Sequence, residues 1–131
     1  SRGLGDVYKR QMEYFVKLTE NYNMIPVLTH VERYPALIND PSIIGELKDM
    51  GVIIQTNTNS YTKKASFFSK LKLIKLIKGG YIDVIGSDAH SLTHNDPRTF
   101  TEALDFISAK CGQSTVRKMM SNAEEIFNSA L

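Results

Sequence analysis

Tyr81-Ile82-Asp83-Val84-Ile85-Gly86-Ser87-Asp88-Ala89-His90 is a short β-branched run that stops in a Gly-Ser-Asp-Ala-His turn. Ile82, Val84 and Ile85 leave little room for a solvated face, so the run reads as a buried strand of a parallel sheet. The turn sets Asp88 and His90 two residues apart at that strand's carboxyl end. Open α/β sheets and (β/α) barrels keep their chemistry at this edge. A carboxylate and an imidazole there suit a divalent metal, and equally a general acid–base pair. A lone Asp-x-His turn is more often a capping turn than either. A second stretch of the same design, upstream, changes those odds.

That stretch is Met24-Ile25-Pro26-Val27-Leu28-Thr29-His30, an apolar strand with Pro26 tolerated near its start. It ends in the polar burst His30-Val31-Glu32-Arg33-Tyr34-Pro35. Asp40-Pro41 then makes a strong helix start, with Ile43, Ile44, Leu47 and Met50 on one face and Gly51 as the stop. Val52 to Asn57 is a third strand, followed by the polar loop Asn57 to Ser60. From Lys64 to Lys78 a long helix is expected to carry Phe67, Phe68, Leu71, Ile74 and Ile77 inward, stopped by Gly79-Gly80.

The flanks are helical. Phe15, Val16, Leu18 and Tyr22 form a loose stripe from about Met12, ended by Asn21 to Asn23. Past His90 a helix buries Phe100, Leu104 and Ile107 and ends at Gly112. Either Asp96-Pro97 or Thr99 with Glu102 starts it. Two short helices are expected to finish the chain, the second capped by Ser121 or Asn122. Helix and strand thus alternate with short loops, which predicts an α/β fold with parallel strands. Three strands make a thin sheet with uncovered edges, so the pattern reads as a partial (β/α) barrel.

Composition narrows the function. At 131 residues, 42% hydrophobic, the chain suffices for one domain and its core. Sixteen Lys and Arg against 14 Asp and Glu are too balanced to argue for nucleic acid or an anionic membrane. The single Cys111 rules out an internal disulfide framework and makes a reducing, cytoplasmic setting the default. No run approaches the ~20 apolar residues of a membrane span. Ser1 to Gln11 lacks both periodicity and continuity with the stripe that begins near Met12. It reads as a cloning or assembly scar, with the natural protein expected to begin further upstream. Lys63, Lys64, Lys70, Lys72, Lys75 and Lys78 cluster along the long helix, where a solvated outer face is the favoured explanation over anion binding.

Three strand ends (His30, Asn57, and Asp88 with His90) fall at one sheet edge in this topology. Arg33 lies one short turn beyond His30, and Arg98 follows His90 at loop distance. Imidazole and carboxylate for metal, with guanidinium for oxyanions, is the equipment of a metal-dependent hydrolase of phosphoesters.

His30-Val31-Glu32-Arg33-Tyr34 resembles the His-(Ile/Pro)-Glu-Arg-Tyr motif of the PHP (polymerase and histidinol phosphatase) superfamily. Ser87-Asp88-Ala89-His90 resembles its Ser-Asp-x-His motif. Gly51 to Asn57 is similar to the Gly-x-x-x-Gln-x-Asn strand of one branch, the bacterial capsular and exopolysaccharide tyrosine phosphatases. The likeness runs from about Met12 to the C-terminus, so residues 12–131 would be the C-terminal part of one PHP-type, TIM-like barrel.

The resemblance implies a protein-tyrosine phosphatase in which His30, Asp88 and His90 ligate a site of two or three divalent ions, usually manganese, and Arg33 contacts the phosphate. It implies phosphotyrosine proteins as substrate, with a tyrosine kinase of polysaccharide biosynthesis as the suggested partner. Two departures stand out. The family's N-terminal His-x-His and further upstream ligands are absent from the sequence, and His94 matches no family ligand. The isolated chain is therefore expected to bind metal weakly and turn over little.

The family arginine that precedes a Pro-Pro pair is displaced here to Arg98, after Pro97. If Thr99 caps the helix, Arg98 stays in the loop within reach of phosphate. If Asp96 caps, it falls in the first helical turn and points away. The alternatives are a superfamily phosphatase for another substrate, such as histidinol phosphate, and a non-catalytic module binding phosphate or a partner. In the latter case open sheet edges would favour oligomers.

Overall fold

The computed structural model describes residues 2–87 and 97–130. The chain runs α1 (Arg2–Asn21), β1 (Val27–Leu28), α2 (Pro35–Asn39), α3 (Pro41–Asp49), β2 (Ile53–Asn57), α4 (Phe67–Lys78), β3 (Val84–Gly86), α5 (Pro97–Cys111) and α6 (Gln113–Ala130). A 3-10 turn, Val31–Arg33, begins after Thr29 and His30 beyond β1, and a second, Thr58–Tyr61, follows β2 directly. The three strands form one parallel sheet in the order β1-β2-β3. Val27 pairs with Ile53 and Leu28 with Ile54; Gln55, Thr56 and Asn57 pair with Val84, Ile85 and Gly86. The parallel α/β alternation expected from the sequence is present, as a small sheet among mostly helical elements.

β1 is shorter than the apolar run that encodes it. Pro26 has no N–H to give, yet its carbonyl accepts from Ile53 N–H at 2.9 Å, so the ladder reaches one residue beyond the strand. In α3 the expected face is inward: Ile43, Ile44 and Leu47 are buried, and Gly51 turns the chain at φ +94°. Gly80 does the same after α4 at φ +80°. Asp83 then fastens β2 to β3. Its Oδ2 accepts from Ile54 N–H at 2.8 Å, and Lys48 Nζ donates both to Oδ1 and to the Gly80 carbonyl, each at 2.7 Å.

Several expectations are corrected. The first helix does not begin near Met12; it is continuous from Arg2. Its inward stripe is Met12, Val16 and Thr19, spaced four and three residues apart, whereas Phe15, Leu18 and Tyr22 are exposed. Thr19 tolerates burial because its hydroxyl donates to the Val16 carbonyl at 2.8 Å. In α4 the buried residues are Leu73, Ile74, Leu76 and Ile77, while Phe67, Phe68 and Leu71 face out.

Further differences lie between the strands and at the C-terminal end. α2, with Pro35 at its first position and Leu37 buried, fills the stretch between the polar burst and Asp40-Pro41, where no element was expected. In α5, Ala103 and Ile107 are the buried residues, and Phe100 and Leu104 are half-buried. The chain ends in one long helix, α6, instead of two short ones. Asn122 is not a cap but donates from its side chain to the Asp83 carbonyl at 3.0 Å. Among the described residues no helix is long and apolar enough to cross a membrane.

Candidate functional site

All three strands run toward one edge, so residues remote in sequence gather where β1, β2 and β3 end. His30 stands there in the left-handed region, at φ 55° and ψ 46°. For a histidine this backbone costs on the order of 1–3 kcal/mol, and such strain persists where the surroundings over-determine it. Here they do. The His30 carbonyl accepts from Arg33 N–H at 2.9 Å, the Val31 carbonyl from Tyr34 N–H at 3.0 Å, and the Val31 side chain is fully buried. The His30 ring is half-buried with its Nδ1 atom inside.

Glu32 ties this turn to the next strand tip. Its Oε2 accepts from Asn57 N–H at 2.8 Å, across 25 residues of sequence. Asn57 Oδ1 in turn accepts from Asn59 N–H at 2.9 Å and so caps the 3-10 turn that follows. Behind that tip, Thr56 and Tyr61 share a hydroxyl–hydroxyl bond of 2.6 Å inside the core. Burial pushes the Tyr61 phenol well above the ordinary tyrosine range. The Thr56 bond opposes that rise, and the nearby Glu32 carboxylate adds to it. Tyr61 is thus a neutral structural hydroxyl. Among the described residues, Glu32 Oε1 and Thr58 Oγ1 are buried without a hydrogen-bond partner. The edge therefore carries polar atoms beyond what the fold itself uses.

Arg33 closes the turn after His30 and is solvent-exposed. Arg98 lies in the first turn of α5, since that helix starts at Pro97, and it is exposed beside Thr101, Glu102 and Asp105. The helix thus includes Arg98 and does not wait for Thr99 to start it. Asp88 and His90, with His94 and Asp96, lie outside the described residues. Of the proposed ligands the described structure places His30 alone. No three His, Cys, Asp or Glu side chains cluster to hold a metal among the described residues.

Cys111 ends α5 half-buried, and burial lifts its thiol above the usual range, with Lys78 opposing. A thiol kept protonated is a poor nucleophile. Sequence reasoning missed the Glu32–Asn57 tie and the Thr56–Tyr61 bond. Both are long-range or side-chain pairings with no periodic signature.

The family model described as "Capsular polysaccharide synthesis, CpsB/CapC" matches residues 8–128. A tyrosine-protein phosphatase CpsB of Streptococcus pneumoniae is 32% identical over 99 residues, which is 72% of this chain and 40% of that protein. A tyrosine-protein phosphatase CpsB of Streptococcus agalactiae is 29% identical over 108 residues, 78% of this chain and 44% of that protein. The chain thus spans less than half the length of these curated relatives. With a match over nearly all of its length, it belongs to the CpsB/CapC family of capsular polysaccharide synthesis.

Proposed function

We propose that this chain is a partial (β/α) barrel, the C-terminal portion of a TIM-like barrel that when whole hydrolyses phosphotyrosine in proteins, with a divalent cation, manganese by family resemblance, at the carboxyl edge of its sheet. The relatives named as tyrosine-protein phosphatases support the reaction class. The observation that carries the reading is the strained His30, held at a strand tip with its Nδ1 inside and stapled through Glu32 to the next tip.

The donor chemistry of that edge fits a divalent cation: an imidazole at a β1 tip, spare buried oxygens on Glu32 and Thr58, and Asp88 with His90 following β3. In this reading His30, Asp88 and His90 hold the ion. When bound, it would supply Lewis-acid activation of water and neutralise charge on the phosphoryl group. Arg33 would grip a phosphoryl oxygen through a charge-assisted bond, and Arg98 would need to swing across from the first turn of α5 to add a second. Glu32 fixes the His30–Arg33 turn, so the two side chains approach substrate from a preset backbone. A tyrosine kinase of polysaccharide biosynthesis would be a natural phosphoprotein substrate.

The test is manganese-dependent phosphate release from a phosphotyrosine peptide, assayed beside histidinol phosphate, in the longer protein that contains this chain. His30→Ala should lower kcat/KM by more than the ~100-fold that loss of an outer-shell partner costs. Arg33→Ala should mainly raise KM. Wild-type turnover by His30→Ala would sink the reading, and preference for histidinol phosphate would replace its substrate. The isolated 131-residue chain should release little phosphate.

A further inference from the structure

The first turns of α4 carry apolar groups that stand outside the buried core. Phe67 is 58% exposed, Phe68 80% and Leu71 37%. Exposed lysines surround them at 63, 64, 72 and 75, and from Met50 to Ile82 the sequence contains no Asp or Glu. Lys70 is the exception, drawn over the Phe106 ring at 4.7 Å from its centroid. A charge count balanced over the whole chain therefore conceals a local excess of positive charge beside two aromatic rings, with Glu102 Oε1, which accepts from Lys63 N–H at 3.2 Å, and Glu32, across the cleft from Lys72, as the nearby carboxylates.

A second exposed apolar surface shows what this one is not. On α1, Tyr14, Phe15, Leu18 and Tyr22 stand among Glu13, Lys17 and Glu20, so charge there is mixed. Among the described residues β1 pairs on one side only, which leaves an edge where further strands of a larger barrel could join. α4 differs in position: it crosses from the central strand β2 to its neighbour β3 and packs against α5. Sheet extension at an outer edge leaves it in place. The lining of the cleft of about 430 Å³ beside this helix includes Glu32, Ser66, Ser69, Lys72 and Leu73 but neither ring.

Exposed aromatic rings that stand outside that cleft, with exposed lysines before and after them in sequence, suit a partner that is fluid, flat and negatively charged. A bound peptide would need a cleft for its side chains. A lipid surface needs only rings that enter the headgroup layer and cations that meet its charge. We propose that the N-terminal end of α4, through Phe67, Phe68 and the lysines beside them, docks the protein peripherally on an anionic phospholipid bilayer. The segment Thr62–Ala65 that leads into α4 follows the tip of β2, so docking would bring the candidate site's edge toward the same surface.

Sedimentation of the 131-residue chain with vesicles tests this, comparing phosphatidylcholine alone with phosphatidylcholine plus phosphatidylglycerol. Binding should require the anionic lipid and weaken as salt rises. Lys63→Gln and Lys64→Gln should each weaken it about fivefold, the effect of ~1 kcal/mol per lysine near an anionic surface. Phe67→Ser with Phe68→Ser should abolish pelleting while thermal unfolding stays unchanged. Equal pelleting with neutral vesicles, or wild-type pelleting by the double serine variant, would overturn the proposal. So would tighter binding to an acidic peptide than to vesicles, or a dimer on sizing that the double variant dissolves. The readout is independent of turnover, so its failure leaves the phosphatase reading intact.

Discussion

The sheet has two crossovers, and they treat their apolar residues in opposite ways. In the first, from β1 to β2, α3 buries Ile43, Ile44 and Leu47. In the second, from β2 to β3, α4 buries four aliphatics near its C-terminal end and leaves Phe67, Phe68 and Leu71 in solvent. Hydrophobicity alone does not separate them. In α3 apolar side chains are few enough to form one stripe, so every one of them finds the core. In α4 they outnumber the positions that the sheet can cover, and the surplus is displayed. Surplus hydrophobicity on a helix thus points to a task outside the fold.

The largest effect should come from the crossover that spends everything on its core. Ile44→Ala should lower unfolding free energy by about 2–5 kcal/mol, the range for truncating a buried aliphatic. Urea denaturation measures it. A loss below ~1 kcal/mol would mean that α3 is loosely packed and the contrast with α4 is false. Next in size is the tie at the start of the same crossover. Glu32→Ala removes the acceptor of Asn57 N–H, and an orphaned backbone donor costs about 1–3 kcal/mol. Glu32→Gln keeps a carbonyl oxygen in place and should lose less. If the two variants are equally destabilised, the carboxylate's charge, not its hydrogen bond, holds the β1 and β2 tips together.

These two residues also mark how far the sequence can be read. Asp40-Pro41, the stripe Ile43–Ile44–Leu47 and Gly51 announce α3 locally, and the β-branched runs announce the strands, so the parallel α/β order was legible. Which face of α4 turns inward was not, because that depends on where neighbouring elements stop. In the site, His30 and Arg33 were legible as a strand-end motif. The left-handed backbone at His30 and the reach of Glu32 to Asn57 were not: one is a conformation that histidine seldom adopts, the other a contact across 25 residues. Arg98 turned on a helix start that two caps could equally have set, and Pro97 resolves it.

The second crossover has its own anchor, and pH isolates it. Tyr61→Phe removes the partner of the Thr56 hydroxyl inside the core and should cost about 1 kcal/mol at neutral pH. Because burial raises the Tyr61 pKa in the folded state, the unfolded chain gives up that proton first as pH rises past about 10, the ordinary tyrosine value. The folded state then binds more protons than the unfolded one. Stability from this group is complete below about pH 10 and falls above it. The wild type should lose stability there faster than Tyr61→Phe, so the two denaturation midpoints should converge. Parallel curves would show that the phenol is solvated, and that the second crossover lacks a buried anchor.

The smallest expected effect sharpens the comparison most. Phe68→Ser replaces the most exposed aromatic of the second crossover, and a surface change of this kind stays within about 0.5 kcal/mol. Set beside Ile44→Ala, it asks whether an apolar residue on a crossover helix serves the core or only resides on the helix. If urea midpoints for Phe68→Ser and wild type coincide, the ring contributes nothing to folding and its place among lysines needs another cause. If the variant instead unfolds as readily as Ile44→Ala, Phe68 belongs to a packed interface, and the display of surplus hydrophobicity on α4 is an error. The experiment is decisive because the two helices share a sheet, a topology and a solvent, and differ in how many apolar side chains each was given.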